Sequence, residues 1–164
     1  ATSGTAKRTL AVIAASGLRV VGGWMADHYG GIRLMYFLLA MILGAILMAS
    51  TMPSNAITMA LIVALAMGAM GAGNGAVFQL VPLRFRTETA VAGSLIGEIG
   101  ALSGGFLPNA MGLGKQYFGT FGPGFLSGAF LAICALIALF LVGRRWTTTW
   151  CGAGGVARSE DKTN

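Results

Sequence analysis

Five long apolar runs, parted by short polar breaks, organise the chain. They cover about residues 9–26, 32–52, 56–83, 89–113 and 122–142. Each is long enough for a helix that crosses a bilayer, which takes about 17–25 residues. The breaks have the chemistry of turns. Asp27 to Gly31 closes the first run, and Pro53, Ser54 and Asn55 close the second. The pattern predicts an all-α membrane protein, a polytopic bundle of five spans. Residues 1–8 are polar and read as the remnant of a loop on the outer, periplasmic side. Residues 143–164 read as a disordered cytoplasmic tail, with Trp146 and Trp150 as interface anchors. The chain opens at Ala1 without a basic, apolar and small-residue signal segment, and reads as lacking an N-terminal part.

Composition agrees with the pattern. Of 164 residues, 55% are hydrophobic and 10% charged, with a mean hydropathy of +0.76. A soluble domain carries about 25% charged residues, so too few remain here to solvate a globular surface. The 26 glycines fit helices that approach closely through small residues. A net charge of +6 could suggest a nucleic-acid partner, but the basic residues are scattered between apolar runs and form no stripe. Cys134 and Cys151 make no disulfide framework, and His28 has no neighbour at ligand spacing, so no metal or cofactor is expected. There is no nucleophile and base pair and no phosphate loop, which disfavours an enzyme.

Basic residues also set orientation. With the turn after the first run in the cytoplasm, that side holds seven of them: Arg33, Arg84, Arg86, Arg144, Arg145, Arg158 and Lys162. The other side holds three, Lys7, Arg8 and Lys115. The C-terminus is then cytoplasmic. Arg19 is left over, inside the first run. An arginine at a helix centre costs about 2.5–3.5 kcal/mol to insert, which a polar cavity or a partner offsets. Its planar fork suits a flat oxyanion. Ser16, Gly22 and Gly23, three or four residues away, are small enough to leave room for such a ligand. The alternative is a structural arginine paired elsewhere in the bundle.

Other intramembrane polar groups are few. Asn74 and Gln79 could orient an anion or tie helices together. Glu98 is a carboxylate inside a span, either a coupling group that gains and loses a proton or a fixed structural partner. Gly93, Gly97, Gly100 and Gly104 follow a 4-3-4 spacing that lines them along one helix face. That face suits either close helix packing or contact between main chain and a small ligand. Aromatic residues such as Phe78, Phe106 and Phe125 read as packing or lipid-facing.

The turn Gly23–Arg33 (GWMADHYGGIR) has the spacing G-x-x-x-D-x-x-G followed by a basic residue, built on Gly23, Asp27, Gly30 and Arg33. It resembles the cytoplasmic loop signature of the major facilitator superfamily. With Gly73–Pro82 (GNGAVFQLVP) and Gly97–Pro108 (GEIGALSGGFLP), the chain resembles the nitrate/nitrite porter family of that superfamily. It departs from the family's pattern at Ser103, where that pattern is more glycine-rich, and at Glu98, where some members carry a small apolar residue.

The resemblance covers about residues 9–142 and implies spans eight to twelve of twelve, part of the C-terminal half of a transporter in the inner (plasma) membrane. It implies that Arg19 binds nitrate or nitrite beside the glycine-rich stretch of Gly97 and Gly100, and Asn74 and Gln79 are the neutral donors that could join them around the anion. It also implies alternating access, a missing N-terminal half as partner, and a fragment inactive alone. Two other readings stay open: a transporter of another small anion, and a multi-span membrane subunit that transports nothing.

Overall fold

The computed structural model describes residues 17–51 and 54–157, whose regular structure is all helical. Residues 17–29 form α1. Then come α2 (Gly31–Ser50), α3 (Ala56–Arg84), α4 (Thr89–Gly104), α5 (Phe106–Phe118) and α6 (Gly122–Thr149), with a 3-10 turn at Ala153–Gly155. The first predicted run starts outside the described residues; its later part is helical and extends to residue 29. Four stretches are long and apolar enough to cross a membrane: α2, α3, Thr89–Phe118 and α6. The chain is an all-α, multi-pass membrane protein.

The centre of the bundle is α2. Leu34, Leu38, Ile42, Ala45 and Ala49, three or four apart, form its buried stripe. They meet Ile62, Ala66 and Ala69 of α3 and Phe125 and Ala129 of α6 in one apolar cluster. The Tyr36 hydroxyl donates to the Leu139 carbonyl at 2.9 Å and ties α2 to α6. Gly143 makes room for it, since a Cβ there would lie 3.3 Å from that hydroxyl. By contrast, α4 touches little, and none of its described side chains is buried. Large apolar side chains face outward, Leu102 at 82% and Val20 at 73% exposure. Surfaces of that kind belong against lipid or another protein segment.

Local chemistry sets the breaks. Gly30 separates α1 from α2 with φ 92, a conformation that side chains other than glycine rarely adopt. Its N–H donates to the Ala26 carbonyl, and its own carbonyl accepts from Leu34, so it closes one helix and opens the next. Asn55 caps α3 by accepting from the Ile57 N–H at 2.9 Å. Pro108 has no N–H for the Gly104 carbonyl, and its ring crowds that carbonyl. The helix is interrupted at Gly105. The fourth apolar run predicts an end near residue 113. Instead the helix resumes as α5 and reaches Phe118, where Gly119 (φ 73) stops it by donating to the Lys115 carbonyl at 3.0 Å.

The C-terminal stretch differs most from the apolar pattern. Where that pattern ends near Val142, α6 continues through Arg144 and Arg145 to Thr149. The hydroxyls of Thr147, Thr148 and Thr149 bond back to the carbonyls of Arg144 and Arg145, so these polar side chains find their acceptors on the helix itself. Residues 150–157 then turn back onto α2 rather than trailing as a disordered tail. Cys151 is fully buried, and its thiol donates to the Trp146 carbonyl at 3.2 Å. It joins Ile32, Leu80 and Leu139 in a second apolar cluster, with Trp146 and Trp150 packed against it. The remainder of the tail lies outside the described residues.

Candidate functional site

Three helices meet around an open-sided cleft of about 490 Å³ that contains Arg19, Asn74, Phe78, Gly97 and Gly100 in its lining. On α3, Asn74, Val77 and Phe78 sit at helical positions i, i+3 and i+4, which share one face. Ile96, Gly97 and Gly100 form the opposite wall on α4. Four of the five predicted anion-binding residues therefore lie together.

The placement of Arg19 follows from a close crossing of α1 and α3. Any side chain on Gly75 would run into the Arg19 carbonyl, and any on Gly22 would run into the carbonyl of Ala72. Gly22 thus serves backbone contact rather than leaving room for a ligand, and the Gly23 nitrogen lies against Gly75, which corrects the expectation drawn from their size. Ser16 lies outside the described residues.

Arg19 is exposed on the cleft side, and its Cζ stands 4.6 Å from the centre of the Phe78 ring. A cation over a ring gains about 0.5–1 kcal/mol when exposed and about 2 when desolvated. Phe78 in turn fits beside Gly93, where a Cβ would come within 3.6 Å of its Cε1. Farther along α4, a Cβ on Gly97, Gly100 or Gly104 would meet no described atom within 4 Å. Gly97 and Gly100 open to the cleft, whereas Gly104 lines a separate apolar cavity beside Leu107 and Met111. Of the two uses its spacing allows, packing against a described helix applies only to Gly93.

Gln79 is not in the cleft. One residue beyond Phe78 turns it roughly 100° around α3, toward α2. A Cβ on Gly31 would lie 2.6 Å from its Oε1, which is buried without a hydrogen-bond partner among the described residues. The same rotation takes Glu98 away from Gly97. It is exposed, does not line the cleft, and forms no ion pair with Arg19 among the described residues.

The loop signature divides by role. Gly23 belongs to the helix crossing and Gly30 forms the corner. Asp27 is exposed, and no helix N-terminus among the described residues takes its carboxylate. Arg33 lies across Gly154, where a Cβ would come within 2.8 Å of its Cδ and Nε. Two participants escaped the sequence reading. Phe78 sits four residues after Asn74, a spacing that could have marked it. The contact of 150–157 with α2 left no local signal beyond paired Trp residues and Gly154-Gly155.

What can the cleft do? It offers one guanidinium, one neutral amide and exposed main chain from glycine-lined helix. Those groups suit a small oxyanion and contain no pair of groups for acid and base catalysis. Its volume is in the range of about 300–1,000 Å³ that accommodates drug-sized ligands. A small inorganic anion would not fill it without a further wall.

No family model matches the chain, and no solved structure matches it. Curated relatives do match. The probable nitrate/nitrite antiporter NarK1 of Thermus thermophilus is 32% identical over 132 residues, 67% of this chain and 29% of that protein. The nitrite extrusion protein of Bacillus subtilis is 31% identical over 133 residues, 79% of this chain and 33% of its own length. The nitrate/nitrite transporter NarU of Escherichia coli is 29% identical over 155 residues, 77% of this chain and 34% of its own length. The chain spans about a third of the length of these relatives. All three are named as transport proteins and none as an enzyme. By these matches, which run over most of its length, the chain belongs to the nitrate/nitrite porter family.

Proposed function

We propose that this chain supplies one wall of the anion path in a nitrate/nitrite transporter, with Arg19 as the anion's principal ligand. The observation that carries the proposal is the cleft, which gathers Arg19, Asn74, Gly97 and Gly100 from three separate helices. Nitrate and nitrite are flat, and a guanidinium fork can donate two parallel hydrogen bonds to a pair of their oxygens. Phe78 holds the cation without a competing carboxylate. Asn74 adds a neutral donor.

The open side of the cleft faces further spans, supplied by the part of the relatives that this chain does not match. Glycine-lined α4, only lightly held by α3, is the element suited to rock during alternating access. The arginine-rich helix ends lie in the cytoplasm and Lys115 on the outer side of the plasma membrane, following the bias of basic residues.

The test is Arg19→Lys in the complete transporter, reconstituted in liposomes with isotopically labelled nitrate and nitrite. Losing a bidentate charged pair costs about 1.5–3 kcal/mol, so anion affinity should fall at least tenfold although the charge remains. Unchanged affinity would overturn the assignment of Arg19. Competition by larger organic anions in the same assay would overturn the assignment of substrate class.

A further inference from the structure

The end of the bundle away from Lys115 holds a second pair of clefts. One, of about 400 Å³, is lined by Arg84 of α3 and by Val142, Arg145 and Trp146 of α6, with Thr149 and Trp150 completing it. The other, of about 220 Å³, is lined almost wholly by apolar groups, among them Leu80, Val81, Phe85 and Ile96. Arg84, Trp146 and Trp150 line both, so the two adjoin across a shared wall. The basic mouth thus opens at the helix ends, and the apolar part runs inward between α3, α4 and α6.

We infer that this double cleft binds an anionic phospholipid, its phosphate between Arg84 and Arg145 and an acyl chain in the apolar part. The charge is complementary, since among the described residues neither guanidinium is paired with a carboxylate. Arginine forks grip phosphate oxygens bidentately. The level is also right, because arginines and tryptophans at the ends of spanning helices sit where headgroups do. Trp146 and Trp150, with ring centres 5.4 Å apart, form the rim between the two parts. The apolar part explains why it is a lipid rather than a free phosphate: an inorganic anion would leave that groove unfilled.

The acyl chain would also reach the back of the anion cleft. Val77 and Ile96 line both the apolar groove and the cleft around Arg19. A bound lipid therefore props α4 against α3 where protein contacts are few.

The experiment uses the complete transporter and measures retained lipid by native mass spectrometry after exchange into mixed phosphatidylglycerol and phosphatidylcholine. The unaltered protein should retain phosphatidylglycerol preferentially. A double variant, Arg84→Gln with Arg145→Gln, should lower that preference at least tenfold. Arg144→Gln, next to the cleft but not lining it, should leave the preference intact. Equal retention of both lipids, or an equal loss in the Arg144→Gln variant, would overturn the proposal. So would displacement of the bound lipid by millimolar inorganic phosphate, which would show that the basic mouth is a free-anion site.

Discussion

At Phe78 an aromatic ring lies beneath a cation within an otherwise apolar bundle, and that pairing fixes where Arg19 can reach. Phe78→Leu keeps an apolar group there and removes the ring. With about 0.5–2 kcal/mol at stake, nitrate affinity should weaken by roughly twofold to thirtyfold, with expression unchanged. Equilibrium binding to the purified transporter would measure it. An unaltered constant would mean that the ring packs without positioning the guanidinium.

Gly30 presents a different constraint, since it combines φ 92 with contact against the Gly154 carbonyl. Strained backbone of this kind costs about 1–3 kcal/mol when a side chain is forced into it. Gly30→Ala should therefore lower the melting temperature and loosen the turn over Cys151. Faster maleimide labelling of Cys151 would report the loosening, and unchanged labelling would argue that Gly30 and the turn are independent.

Among the elements, the crossing of α1 with α3 and the open face of α4 use the same residue type for opposite ends. Gly75→Val drives a branched side chain into the backbone of α1, and the folded yield in detergent should collapse. Gly97→Ala adds one methyl to open space, so the melting temperature should hold while nitrate uptake falls. A thermal-shift assay beside an uptake assay separates the two, and a destabilised Gly97→Ala would show that α4 is packed there after all.

The elements themselves were largely readable from the apolar runs, because spanning length and turn residues mark them. Half-readable was the site. A lone arginine in an apolar run and glycines at 4-3-4 spacing both stand out in one dimension. Gln79 and Phe78 could not be sorted, because α3 is apolar nearly all round and its sequence gives no rotational phase. The fate of residues 150–157 depends on a partner more than a hundred positions away, which no local pattern encodes.

For the molecule as a whole, the described helices bury one side of α2 thoroughly and leave α4 and the Arg19 face uncovered. A chain that spans about a third of its relatives' length is consistent with an anion site completed by other spans. Docking of residues 151–157 has its own consequence. Gly155 packs so closely on the first turn of α2 that a Cβ there would come within 2.6 Å of the Ile32 nitrogen. During synthesis, α2 enters the bilayer long before residue 155 leaves the ribosome. The contact of Gly155 with the start of α2, beside the corner at Gly30, can therefore form only after α3 to α6 have been made.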